Sequence, residues 1–344
     1  MRCVLHIGTE KTGTTSLQAA LSSHRESLSK QGVLYARAPG QRNSRSLAAA
    51  FSTKRDEDDY LIEREISDSR KFELWKSQLL TSIGDEISES ENHHEVYVLS
   101  SEHFSSRVLN DTDASALAQF LKSKFSDIQV VCYLRRQDQM ATSRISERLR
   151  AGFSDSLYPT VHSDAPLPVL YDYDALISRW STAFGDAAIS IRVFGRSALT
   201  GGDIVTDFSI SQLGIALQPV EEGHPNISLS STAQLALAMF NQAIGPKARR
   251  QVTHHRRALS RYLESVAPGS DGKPTRQQAE TFYGHFRDGN KRLARHYLQR
   301  DALFDEDFSD YPDTTPPENI EAAAALLSRF YAEKYVDAKR DTGA

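Results

Sequence analysis

The stretch HIGTEKTGTTSLQ, from His6 to Gln18, sets Gly8 and Gly13 at the spacing Gly-x-x-x-x-Gly, between a short apolar run and a segment with helical spacing. A glycine-flanked turn at that junction exposes successive backbone N–H groups beside the positive end of a helix dipole. It therefore binds phosphate or sulfate whatever its side chains. In a nucleotide triphosphatase the lysine after the second glycine reaches the β and γ phosphates, and an aspartate ending a neighbouring strand helps hold Mg²⁺. Here Thr14 stands where that lysine would be, Lys11 lies inside the loop, and the later apolar strands run into SSE and LRR rather than Asp. This pattern predicts an anionic ligand with less charge than ATP and no obligatory metal.

Two other groups of reactive side chains fall at strand ends. VYVLSSEHF places Glu102 and His103 where a parallel strand's carboxyl end opens onto a ligand crevice, and VVCYLRR places Arg135 and Arg136 similarly. The elements that must position them alternate. CVLHIG, VLYA (33–36), EVYVLSSEHF, IQVVCYLRR and AISIRVFG read as strands. Amphipathic segments between them, such as TTSLQAALSSHRESLSKQG, DASALAQFLKSKF and YDYDALISRWSTAFG, read as helices. Such alternation predicts an α/β fold with a parallel sheet flanked by helices. PGQRNSRS and STKRDEDDY read as a surface excursion, and from about Leu217 onward helix follows helix without a convincing strand. The expected organisation is a nucleotide-binding core over 1–215 and a helical C-terminal portion over 216–344 packed on it, together one structural domain.

EKTGTTSL resembles the Lys-x-Gly-Thr-Thr-x-Leu loop of sulfotransferases that use 3′-phosphoadenosine 5′-phosphosulfate (PAPS), a family with a P-loop-like fold. The resemblance implies that Lys11, Thr12, Gly13, Thr14, Thr15 and Ser16 hold the 5′-phosphosulfate, with Lys11 near the oxygen bridging phosphorus and sulfur. VVCYLRRQDQMATSRI resembles the family's 3′-phosphate segment. It implies that Arg135 and Ser143, eight positions apart, grip the 3′-phosphate, with Arg136 as the alternative arginine, since Arg136 and Gln137 replace the family's usual Asn and Pro. In the family a His or Glu near the third strand end takes the acceptor hydroxyl's proton. Glu102 is preferred over His103, because a carboxylate drawn out of water at a strand tip becomes a better proton acceptor near neutral pH and glutamate serves in the branch acting on sugars. RVFGRSALTGGDIVTDF extends the resemblance over roughly the first 215 residues. The implied activity is sulfuryl transfer to a hydroxyl, on a carbohydrate or glycan, without a metal. The rivals are a metal-dependent P-loop kinase and a catalytically silent polyanion-binding protein.

The remaining features are less specific. A net charge of −4 and a pI near 6.3 give no global basic field, which argues against a nucleic-acid-coating protein. One basic segment, GPKARRQVTHHRRALSR, gathers Lys247, Arg249, Arg250, Arg256, Arg257 and Arg261 with His254 and His255. It fits a solvated helix face, a receiver for an anionic acceptor such as an acidic glycan, or an approach to the nucleotide's 3′-phosphate. Asn226, Ser228 and Asn290 stand at expected helix starts. In GKPTR, Lys273 and Arg276 fit a cofactor lid or a helix opening equally. Cys3 and Cys132 sit in apolar strand-like runs and read as buried thiols, and no apolar run of about 18 residues appears. With no charged leader before CVLHIG, the chain reads as soluble and cytoplasmic.

Overall fold

The computed structural model describes residues 1–66, 68–154, 158–161, 165–220, 227–249 and 251–341. Five strands are named among them, β1 (Arg2–His6), β2 (Val33–Tyr35), β3 (Val96–Ser100), β4 (Ile128–Leu134) and β5 (Ile189–Val193). They form one parallel sheet in the order β2-β3-β1-β4-β5. The helices of six or more residues before β5 are α1 (Thr14–Ser23), α2 (Arg45–Ala50), α3 (Ser69–Ser90), α4 (Asp111–Lys122), α5 (Gln137–Arg150) and α6 (Tyr173–Phe184). After β5 come α7 (Ser231–Ala248), α8 (Thr253–Val266), α9 (Arg276–Gly284), α10 (Arg287–Leu298) and α11 (Ile320–Asp341). The α/β class with a parallel sheet flanked by helices is the one expected from the alternating pattern.

The residues gather into two compact units whose segments interleave along the chain. The first comprises Met1–Arg136, Pro166–Gly223 and Phe286–Asp305; the second comprises Gln137–Ala165, His224–His285 and Glu306–Ala344. In the first unit both faces of the sheet are covered, which is why its strands read as continuous apolar runs. Val4, Val98, Val131 and Tyr133 pack on one face against Leu17, Ala20 and Leu21 of α1 and against Ile204, Val205 and Phe208. The neighbouring residues Cys3, Leu5, Tyr97, Leu99 and Cys132 point the other way and are fully buried. Burial pushes both cysteine thiols well above the usual range, so they are inert packing groups.

Among the described residues of the second unit the regular elements are helices, besides an isolated bridge between Leu229 and Pro268. Leu149 of α5, Leu237 and Phe240 of α7, Leu259 and Leu263 of α8, and Phe330 of α11 share its core. Ser230 caps α7, and Thr275 caps α9 through a full capping box with Gln278. The helix-opening reading of GKPTR is therefore the one observed: Lys273 donates to the Asp310 carbonyl and Arg276 pairs with Asp313. Ser228 is not a cap, since its carbonyl accepts from Gly269 N–H. Asn290 lies buried inside α10, whose cap position is Phe286. Asn226 lies outside the described residues.

Two expectations need correction in the first unit. The polar stretch read as a surface excursion is exposed at residues 41–42, 53–54, 56–57 and 59, but the chain between its two halves is interior: α2 is buried along its whole length, and Asp58 is fully buried. Its charge is tolerated because Arg45 Nη2 reaches Asp58 Oδ1 at 2.6 Å and Asp59 Oδ1 at 2.7 Å. Buried charges paired in this way look polar in sequence yet belong to the interior. Secondly, β3 stops at Ser100. Glu102 has helical backbone angles and caps a single turn, His103–Arg107, so EHF is not strand.

Candidate functional site

The loop between β1 and α1 is built on three left-handed residues, Gly8 (φ 47°), Lys11 (φ 64°) and Gly13 (φ 73°). A Cβ at Gly8 would lie 3.1 Å from Thr14 Oγ1 and 3.3 Å from Glu102 Cα, and one at Gly13 would lie 3.0 Å from Ile204 Cγ2. Glycine is thus required for close approach as well as for conformation. Lys11 bears the cost of a left-handed side-chain residue, about 1–2 kcal/mol.

Within the loop, hydroxyls divide into those that hold it and those left over. Thr9 Oγ1 donates to the Tyr133 carbonyl at 2.8 Å, and Thr12 Oγ1 donates to the Thr9 carbonyl at 2.6 Å. Both are buried: Thr9 fixes the loop to the end of β4, and Thr12 closes the loop on itself. Thr14 Oγ1 is also buried, yet it has no hydrogen-bond partner among the described residues. Gly13 caps α1 without a side-chain bond, and no acidic residue occupies the first turn. The N-terminal N–H groups of α1 and the Thr14 hydroxyl therefore form an anion-binding arrangement lacking an internal anion. Thr15 and Ser16 are exposed beside it.

Arg135 follows β4 directly. Its Nη1 donates to the Lys11 carbonyl at 3.0 Å, its guanidinium lies 5.8 Å from the Phe194 ring centroid, and its own carbonyl accepts from Tyr173 Oη at 2.7 Å. Arg136 is buried and donates to the Asp305 carbonyl at 2.7 Å. The two arginines thus do different work: Arg135 stands at the loop, and Arg136 ties down a distant segment. Ser143, on α5, belongs to the second unit and is half-buried.

Glu102 stands on the other side of β1, against Gly8. Gln18 Nε2 donates to Glu102 Oε2 at 3.1 Å, and His103 Nε2 lies 3.7 Å from Glu102 Oε1. The two neighbours thus approach each other, as the helical backbone at Glu102 allows and an extended strand would not. Burial lowers the His103 pKa, Arg45 and Arg107 lower it further, and Glu102 and Asp59 work against them. A neutral imidazole results at neutral pH. The loop, Glu102 and Arg135 thus occupy the carboxyl ends of adjacent strands β3, β1 and β4, where the chain crosses from one side of β1 to the other. Such a switch point is where open parallel sheets bind ligands.

The basic segment is divided in role. Arg256 is buried and caps the end of α5, its Nε donating to the Arg150 carbonyl at 2.9 Å and its Nη1 to the Arg249 carbonyl at 3.0 Å. Lys247, His254, His255, Arg257 and Arg261 are exposed, and Arg250 lies outside the described residues. Among the described residues no group of three or more His, Cys, Asp or Glu has the arrangement of a metal site, and no helix is long and apolar enough to cross a membrane.

No family model matches the chain. Over 236 residues it is 28% identical to a protein of Archaeoglobus fulgidus described only as an uncharacterized protein. The match takes in 66% of this chain and 62% of that relative's length. Among solved structures it is similar to a sulfotransferase from Alicyclobacillus acidocaldarius, at 17% identity and a TM-score of 0.38, over 72% of this chain and 98% of that one.

Sequence reasoning missed Gln18, Ser100 and the Arg45–Asp58 pair. Gln18 carries a signal that could have been read: it stands four residues after Thr14, on the same face of α1. The other two depend on contacts between segments far apart in sequence, which spacing does not reveal.

Proposed function

We propose that the chain is a sulfotransferase moving a sulfuryl group from PAPS to an acceptor hydroxyl on a carbohydrate or glycan. One observation carries the reading: a glycine-shaped loop whose buried Thr14 hydroxyl has no hydrogen-bond partner among the described residues lies directly against the backbone of a carboxylate, Glu102. The first half suits a phosphosulfate, and the second suits a hydroxyl acceptor whose proton must be removed.

The donor supplies the sulfuryl group and a phosphate leaving group. The N–H groups of Thr14, Thr15 and Ser16 and the Thr14 hydroxyl hold its 5′ end, shaped by Thr12 and Gly13, while Arg135 takes the 3′-phosphate. For Ser143 the support is its place eight residues after Arg135 in the sequence. Glu102 accepts the acceptor's proton as the new oxygen–sulfur bond forms. Lys11 and the loop N–H groups stabilise the charge that grows on the phosphate oxygen as the old sulfur–oxygen bond breaks. By analogy with phosphoryl transfer, positioning and electrostatics supply most of the catalysis. The exposed cations of the basic segment suit an anionic glycan as acceptor.

The reading is tested by incubating the protein with labelled PAPS and a panel of hydroxylated sugars and acidic glycans. Transfer by the wild type, reduced roughly 10²–10⁴-fold by Glu102→Gln with nucleotide affinity retained, is expected. Absence of transfer to every acceptor, together with stronger thermal stabilisation by ATP·Mg²⁺ than by 3′-phosphoadenosine 5′-phosphate, would overturn it in favour of a kinase.

A further inference from the structure

Gln18 is only 5% exposed, an uncommon setting for a primary amide, and both ends of that amide are engaged. Its Nε2 faces three acceptors: Glu102 Oε2 at 3.1 Å, Ser100 Oγ at 3.4 Å and the Ser100 carbonyl at 3.5 Å. Its Oε1 accepts from Asn43 Nδ2 at 3.5 Å. A carboxylate and a carbonyl can only accept, so the amide's nitrogen must point toward Glu102. The network continues inward. Ser100 Oγ lies 2.8 Å from His6 Nδ1, and Ser44 closes on Ser100 from the other side, its N–H donating to the Ser100 carbonyl at 2.8 Å.

This arrangement connects two parts of the site that the sequence keeps far apart. Thr14 opens α1 at the anion-binding loop, and Gln18 leaves the same helix one turn later to meet the carboxylate on the neighbouring strand end. The strongest of its contacts is the one to Glu102, because a bond to a charged acceptor is worth roughly twice a neutral one. Its donor also favours the ionised carboxylate, the form that can take a proton.

We infer that Gln18 is a positioning residue, which fixes the Glu102 carboxylate against the anion-binding loop. The inference rests on the reading of Glu102 as the base. Gln18 touches neither donor nor acceptor in this account and acts through Glu102 alone. His103, the other neighbour of that carboxylate, stands on the opposite side of it, at Oε1.

The test reads the Glu102 carboxyl directly, in the protein without substrate. Its titration midpoint is followed by NMR with carbon-13-labelled glutamate, and the resonance is assigned by its loss in Glu102→Gln. Gln18→Met preserves length but cannot donate, so the midpoint should rise by about half a pH unit or more. Gln18→Glu replaces the donor with a like charge and should raise it further, which provides a second arm where the Met variant folds poorly. In the transfer assay the acid limb of the pH–rate profile should move upward by the same amount, with the nucleotide dissociation constant unchanged. An unmoved midpoint in a folded variant overturns the inference even where wild-type transfer is intact. A shifted midpoint in a protein with no transfer activity leaves the Gln18–Glu102 coupling standing and removes the sulfotransferase reading instead.

Discussion

Arg135 donates through Nη1 to the carbonyl of Lys11, 3.0 Å away, so the arginine after β4 holds the backbone of the loop's only lysine. The contact fixes a residue whose φ of 64° is unfavourable for any side chain. Arg135 thereby acts on the loop, and in the proposed function it also takes the nucleotide's 3′-phosphate.

Replacing Arg135 should separate these two roles. Arg135→Ala is expected to weaken 3′-phosphoadenosine 5′-phosphate on the order of 10- to 100-fold, the worth of a charge-assisted bond of about 1.5–3 kcal/mol. Adenosine 5′-phosphosulfate, which lacks the 3′-phosphate, should weaken less. Calorimetry on both ligands checks this; equal losses would mean that Arg135 acts only through the Lys11 backbone.

Lys11→Gly offers a change whose effects on stability and on activity diverge. Glycine removes the left-handed strain but adds freedom to the unfolded chain, and the two nearly cancel, leaving stability within about 1 kcal/mol. Turnover should fall about 100-fold or more, because the lysine's charge is proposed to act on the leaving phosphate oxygen. Urea unfolding and the transfer assay on one preparation give both numbers. A variant with wild-type turnover would remove Lys11 from the chemistry.

The buried histidine behind the site should make the fold acid-sensitive. Burial pushes the His6 pKa down to about 3, well under its ordinary 6.5, and its ring sits between Ser100, Tyr133 and Phe208. Between those limits the unfolded chain binds a proton that the folded chain refuses. Stability therefore rises with pH and is lost on acidification, by up to about 1.4 kcal/mol per pH unit. Lowering the pH from about 6.5 to 5 should cost the wild type on the order of 2 kcal/mol from this group, a loss His6→Gln should escape. Urea unfolding at the two pH values checks it, and equal losses in both proteins would contradict it.

The sheet was legible because the inner strands β1, β3 and β4 are buried on both faces and carry near-continuous apolar runs, as in CVLHI and VYVL. The loop was legible because glycine spacing reports backbone shape. The buried polar interior was not. Arg45 and Asp58 have the composition of surface residues, and the interior is tolerable for them because they pair with each other while Asp58 also accepts from Tyr60 and Leu61 N–H and Arg45 also reaches Asp59. The end of β3 was overrun because Glu102 and His103 carry no breaker, whereas the chain turns into the helix His103–Arg107 directly after Ser100 and Ser101. Asn290 looked like a cap because its side chain favours such positions, whereas the helix begins three residues earlier.

In the proposed function the loop between β1 and α1 receives a nucleotide carrying a 3′-phosphate and a 5′-phosphosulfate. Calorimetric titration of the wild type with 3′-phosphoadenosine 5′-phosphate, beside adenosine 5′-monophosphate and ATP·Mg²⁺, tests it most directly. The bisphosphate is expected to bind at least about tenfold more tightly than the monophosphate, in line with one added charge-assisted contact, and ATP·Mg²⁺ to bind more weakly than the bisphosphate. Equal affinity for bisphosphate and monophosphate, or a preference for ATP·Mg²⁺, would contradict it.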